Sequence, residues 1–106
     1  MDYPLCNRTV TVYRKVGDEI HRYEYEGCHL QNKAVLVRDH FGTFLKWEFL
    51  LIVPGDRQVM VGDRVVAGIG KTHREWEKLN SAMSVGYAKP YILNGRICHW
   101  EAGSKN

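Results

Sequence analysis

Apolar and polar residues alternate with a period of two along much of the chain, and a helical period surfaces in one place only. Thr9-Val10-Thr11-Val12-Tyr13 is rich in β-branched residues and is followed by the turn signal Gly17-Asp18, which predicts a strand and a reversal. Across residues 19–25, Ile20, Arg22 and Glu24 alternate with His21, Tyr23 and Tyr25, so the two segments pair as a hairpin. Gly27 breaks or bulges the second strand, and residues 28–37 continue it or begin another through Ala34-Val35-Leu36-Val37.

Arg38-Asp39-His40-Phe41-Gly42-Thr43 mixes charged, aromatic and turn residues and reads as a loop. Residues 44–53 form the most apolar stretch. They end in Leu50-Leu51-Ile52-Val53 before Pro54-Gly55, the signature of a central strand buried on both faces. Gly-Asp-Arg occurs at residues 55–57 and again at 62–64. A seven-residue spacing puts equivalent side chains on opposite faces of a strand, so two turns explain the repeat better than one motif.

Thr72-His73-Arg74-Glu75 fits a capping box, and Glu75-Trp76-Glu77-Lys78-Leu79 suits one or two helical turns held by packing Trp76 and Leu79 on a sheet. Val85 and Tyr87 alternate with small or polar neighbours before Pro90. Asn94-Gly95 then supplies the two positive-φ positions of a type I′ hairpin turn between Tyr91-Ile92-Leu93 and Arg96-Ile97-Cys98-His99-Trp100. Six or seven short strands with one short helix predict a mainly β chain, a small antiparallel β-barrel or rolled sheet. Residues 1–8 and 101–106 are expected to be flexible tails.

Length adds that 106 residues make a single domain with one modest core. A hydrophobic fraction of 44% and a charged fraction of 25% are those of a folding chain. The formal charge of +3 comes from 15 basic and 12 acidic residues that are interleaved, the pattern of a solvated surface. No apolar run approaches the roughly 20 residues of a membrane-spanning helix. The first residues show neither the basic nor the apolar region of a secretory signal, so the expected setting is cytoplasmic and away from membranes. Cys6, Cys28 and Cys98, odd in number and widely spread, suit free thiols in a reducing compartment.

Three chemical signals are weaker than they look. Gly68-Ile69-Gly70-Lys71-Thr72 resembles the end of a phosphate-binding loop, but that pattern needs a glycine where Val65 stands. Cys28-His29 and Cys98-His99 offer two thiols and two imidazoles. Adjacent strand residues point to opposite faces, so neither pair aims both side chains at one zinc ion. A thiol nucleophile needs a base and an orienting group, and Cys98 beside His99 fails on the same alternation. The expectation is a binding protein and not an enzyme, with no cofactor. Nucleic-acid binding is the main alternative, through Arg14, Arg22, Tyr23 and Tyr25 on the first hairpin, although Glu24 and Glu26 intervene.

The opening strand Thr9-Val10-Thr11-Val12-Tyr13, the segment Ile52-Val53-Pro54 leading into Val61-Gly62-Asp63-Arg64-Val65-Val66-Ala67-Gly68, and the closing Arg96-Ile97-Cys98-His99-Trp100-Glu101-Ala102-Gly103 resemble small proteins of tailed bacteriophages and prophages, described as minor capsid or head-tail connector proteins. The resemblance implies a small β-barrel with long loops and a head-completion, stopper-like role in the virion, reached from the host bacterial cytoplasm during assembly. Copies would form a ring below the portal, bind neighbouring portal, adaptor or tail proteins, and contact packaged DNA. A ring subunit needs two different contact patches. The candidates are the loops at residues 38–43 and 55–62, with Arg38, His40, Phe41, Arg57 and Gln58 as interface residues because arginine and aromatic side chains are enriched in interface cores.

Overall fold

In a computed structural model, the protein is described over residues 6–73, 75–79 and 82–104. The alternating segments become seven strands: β1 (Arg8–Val16), β2 (Glu19–Asp39), β3 (Gly42–Pro54), β4 (Arg64–Ala67), β5 (Met83–Ser84), β6 (Tyr87–Leu93) and β7 (Arg96–Gly103). All neighbours are antiparallel, in the order β5-β4-β1-β2-β3-β7-β6. The fold is mainly β, and among the described residues helix is confined to one 3-10 turn (Trp76–Leu79) whose Leu79 is buried.

β2 belongs to both halves of the sheet, pairing with β1 over its first part and with β3 over its second. The register slips between Val10↔Tyr25 and Arg8↔Cys28, placing an extra residue on β2 beside Gly27, whose φ is 68°. A strand of 21 residues would run about 65 Å if straight. The longest dimension of the molecule is 46 Å, so the strand bends.

The bend lets Val10, Val12 and Val65 from one half of the sheet join Leu51, Val53 and Ala102 from the other in one core, with Tyr25, Cys28 and Leu30 between them. The terminal strands of the sheet are also consecutive in sequence, since β5 ends at Ser84 and β6 begins at Tyr87. Among the described residues no ladder joins these two strands, so the sheet is rolled but not closed into a barrel.

Turn chemistry follows the sequence where glycine or asparagine is required. Asn94 and Gly95 have φ of 52° and 75°, and Gly17 a φ of 62°. Pro90 sits on the edge strand β6, where its missing N–H breaks no ladder bond on the open side.

Several expectations need correction. Residues 38–43 are not a loop: β2 runs to Asp39, β3 starts at Gly42, and His40-Phe41 alone make the turn, with the Asp39 carboxylate accepting from the Phe41 N–H at 2.8 Å. β3 is not buried on both faces. Phe49, Leu51 and Val53 face the core, Leu50 and Ile52 are half-buried, and residues 42–47 are exposed because the strand outruns the body. Glu101–Gly103 are not a loose tail, since they pair with Leu50, Leu51 and Ile52 of β3 and Ala102 is fully buried. Arg8 likewise pairs with Cys28, while residues 1–5, 105 and 106 lie outside the described residues.

Candidate interaction surface

The ladder between β2 and β3 is continuous from His29↔Ile52 to Asp39↔Gly42. β1 leaves β2 at Cys28, and β7 leaves β3 at Leu50. Ser104 still bonds the Phe49 backbone, and beyond it the two strands pair in a ladder only with each other, so that residues 32–39 with 42–48 project as a two-stranded arm about 25 Å long.

Directly opposed residues share a face, and faces alternate along a strand. The core pair Leu30/Leu51 is therefore followed, on the same face, by Asn32/Phe49, Ala34/Trp47 and Leu36/Leu45. Leu30, Leu51 and Phe49 are buried, whereas Leu36 and Leu45 are each 62% exposed and Trp47 is 70% exposed. The face that forms the core thus continues outward: Asn32, Phe49 and Trp47 border a hollow with Met83, Ser84 and Ser104, and beyond it Leu36 and Leu45 have no cover among the described residues. The reverse face carries Lys33/Glu48, Val35/Lys46 and Val37/Phe44. At the tip, Phe41 is 88% exposed with the His40 ring 4.3 Å from its own.

Of the interface candidates, Arg38, His40 and Phe41 fall together at the arm tip. Arg57 and Gln58 lie past the other end of β3, so the two groups occupy opposite poles. The Arg57 guanidinium is engaged internally: it donates to the Pro54 carbonyl at 3.0 and 3.2 Å and to the Glu26 carbonyl at 2.8 Å, and it lies over the Tyr25 ring. The Gln58 side chain is exposed, while its carbonyl accepts from the Tyr25 hydroxyl and from Arg14. Sequence reasoning missed Leu36, Leu45 and Trp47. The signal lay in two β-prone runs flanking Asp39-His40-Phe41-Gly42, longer together than a small body can cover.

The residues of the nucleic-acid reading are tied into the body. Tyr23 and Tyr25 stack with ring centroids 6.1 Å apart, and Arg14 lies over Tyr23. Tyr25 is buried, and burial raises its hydroxyl pKa. Arg14 donates to the buried Asp63 carboxylate at 2.8 and 3.0 Å, and this hydrogen bonding raises the arginine pKa further. Arg22 donates to the Gly70 carbonyl at 2.8 Å and pairs with Glu24.

The Gly-Lys-Thr segment is likewise structural. The Thr11 hydroxyl donates to the Gly68 carbonyl and accepts from the Gly70 N–H, each at 2.8 Å, and the Tyr13 hydroxyl donates to the Lys71 carbonyl at 2.5 Å. A phosphate loop needs such N–H groups free. Cys28 is buried, which pushes its thiol up to about 11, and the His99 ring stacks on Tyr91 at 4.5 Å. Among the described residues, no three of His, Cys, Asp and Glu gather where they could hold a metal ion. No helix among them is long and apolar enough to cross a membrane.

A second apolar surface lies at the far pole. Val16, Met60, Val61 and Trp76 line a groove of about 420 Å³, together with the charged Arg14, Lys15 and Asp63. Trp76 is held there by Arg64, whose guanidinium lies over the indole at 4.5 Å and donates to the Trp76 carbonyl at 2.6 Å. The arm and the groove together offer apolar area and open strand edges, the means of docking a macromolecule. Comparison with family models, curated proteins and solved structures finds no match to this chain.

Proposed function

We propose that this chain is a virion assembly subunit, a stopper-like head-tail connector protein of a tailed phage or prophage. It joins copies of itself in a ring and binds neighbouring portal, adaptor or tail proteins. The observation that carries the assembly role is the projecting arm, whose apolar face prolongs the core face and, at Leu36 and Leu45, has no cover among the described residues. A lone two-stranded ribbon is marginally stable in water, and a contiguous apolar patch of this kind marks a binding surface. The virion setting rests on the resemblance of the three quoted segments to connector proteins.

Two measurements test the reading. Light scattering over a range of concentrations, alone and with duplex DNA at two salt levels, should give a mass that rises by whole subunits and ignores DNA. DNA binding by the monomer that falls steeply with salt would transfer the assignment to a nucleic-acid module. Mass spectrometry of purified particles from a host that carries the gene should find the chain at ring copy number, and its absence from particles would end the virion assignment.

A further inference from the structure

The sheet ends in two outer strands, and both are blunted. β5 offers only Met83 and Ser84, while β6 carries Pro90 and a register shift between Tyr91 and Ile92. A very short strand, a proline and a bulge are each devices that keep a foreign strand from pairing with an edge. The arm adds a further edge, along residues 32–38 of β2, that has neither proline nor register slip.

The backbone of that edge is directed outward at every second residue. The Phe49 N–H donates to the Ser104 hydroxyl and the Phe49 carbonyl accepts from the Ser104 N–H, so Phe49 turns its backbone groups away from β2. In an antiparallel ladder the residue opposite such a position also faces outward, and the pattern repeats every second pair. Asn32, opposite Phe49, therefore directs its N–H and carbonyl away from β3, as do Ala34, Leu36 and Arg38, all of them exposed. The ladder with β1 stops at Arg8↔Cys28, and the Cys6 carbonyl lies back beside Gly27, 3.9 Å from where a Cβ would stand. Among the described residues, no strand pairs with residues 32–38 on that side.

We propose that an extended segment of another protein, apolar at every second position, adds to this edge as a further strand. The inference deepens the partner-binding role proposed above and rests on it for the arm's being a docking element. Main-chain hydrogen bonds along such an edge supply affinity, and the alternating side chains supply specificity. Residues of the added strand opposite Ala34 and Leu36 share their face. That face also carries Leu45 and Trp47, so those positions take apolar side chains. The positions between them fall on the reverse face with Lys33, Val35 and Val37. Lys33, Arg38 and Lys46 of the arm are set against Asp39 and Glu48, so a neutral strand fits. A second copy has little to offer: its β1, β4 and β7 are paired on both sides and its β5 and β6 are blunted, which leaves only its own arm.

The probe is the peptide acetyl-Lys-Thr-Val-Thr-Val-Thr-Val-Thr-Lys-amide, added to the protein up to about millimolar concentration and followed by amide shifts. Shifts should centre on Ala34, Leu36 and Arg38. Ala34→Pro removes an outward N–H and no bond between β2 and β3, so the variant should keep the wild-type melting temperature. It should bind the peptide at least about 5-fold more weakly, the loss of one hydrogen bond. Two further peptides carry methyl groups on the backbone nitrogens of the valines or of the threonines. Only one of these sets can face β2 in an added strand, so one methylated peptide should bind like the parent and the other should fail.

Four results would overturn the inference: no shift at millimolar peptide, a proline variant that binds as wild type does, two methylated peptides that behave alike, or a doubling of protein mass without peptide that Ala34→Pro abolishes. The last would assign the edge to a second arm. The virion reading falls separately, on the absence of the chain from particles.

Discussion

Gly70 leaves no room for a side chain. A Cβ there would lie 2.1 Å from the Tyr13 hydroxyl and 2.8 Å from Val66 Cγ2. Gly70→Ala is expected to cost about 1–3 kcal/mol by overpacking, read from urea unfolding, and an unchanged midpoint would show that Tyr13 moves aside freely. Asp63, 2% exposed, accepts from Arg14 and from the Met60 N–H at 2.9 Å, so it holds the 60–63 turn against β1. Asp63→Ala leaves the Arg14 charge without its counter-ion, with the Gln58 carbonyl as its remaining acceptor, and should destabilise by about 3 kcal/mol; a loss below about 1 kcal/mol would mean that water serves the guanidinium equally well.

Burial also sets an alkaline limit. The unfolded chain releases the Cys28 proton near the ordinary 9.0, whereas the folded chain keeps it to about 11. Between those values the unfolded state binds fewer protons, so stability falls as pH rises. Tyr25 and Tyr87, both raised chiefly by burial, act in the same direction. The melting temperature should therefore drop from pH 9 toward 11, and Cys28→Ala should flatten the early part of that decline. These residue roles were the least legible in the sequence. Gly-Ile-Gly-Lys-Thr carries the letters of a phosphate loop, and only the strand lying beside it, with Thr11 and Tyr13, turns them into a packing site.

At the scale of elements, the arm is the part whose stability depends on company. Its backbone bonds have water on both flanks and little buried apolar area behind them, so its amides should exchange with solvent much faster than those of β1. Leu36→Ser with Trp47→Ser should leave the melting temperature unchanged, because both side chains are exposed in the monomer. The same pair should abolish the slowing of arm exchange that accompanies association, measured by hydrogen exchange at low and high concentration.

The hairpins at residues 17–18 and 94–95 were readable because a positive φ restricts the residue types that fit. The arm's turn was not, since His40-Phe41 is no preferred turn pair and Asp39 supplies the closing bond from outside it. Nor does alternation tell a covered face from an open one. Leu30, Leu36, Leu45 and Leu51 share one face and one chemistry, and only the rolled sheet decides that two of them are buried.

At the scale of the whole molecule, pairing is dominated by partners distant in sequence: β1 meets β4 with Val10 opposite Ala67, and β3 meets β7 with Leu50 opposite Gly103. Such topology predicts refolding over milliseconds to seconds, checked by stopped-flow fluorescence, with microsecond refolding the contrary result. The sequence pointed to a mainly β chain, barrel or rolled sheet, but not to the bend that decides between them, because Gly27 marks a bulge without stating how far the chain turns.

That bend has a further consequence through the arm. The arm leaves the body as an unbroken prolongation of two core strands, in a register with no slip from His29 to Asp39. It is a cantilever with no joint of its own, and its heading is inherited from the body. Deleting one residue between Leu30 and Ala34 would turn Leu36 to the other side, away from Leu45 and Trp47, and split the apolar stripe. In the proposed ring, the angle from one subunit to the next would then follow the backbone at Gly27, while the side chains at the tip would govern how firmly neighbours hold. Reshaping the bulge would change how many copies complete a circle, and repainting Phe41 would change how long the circle lasts.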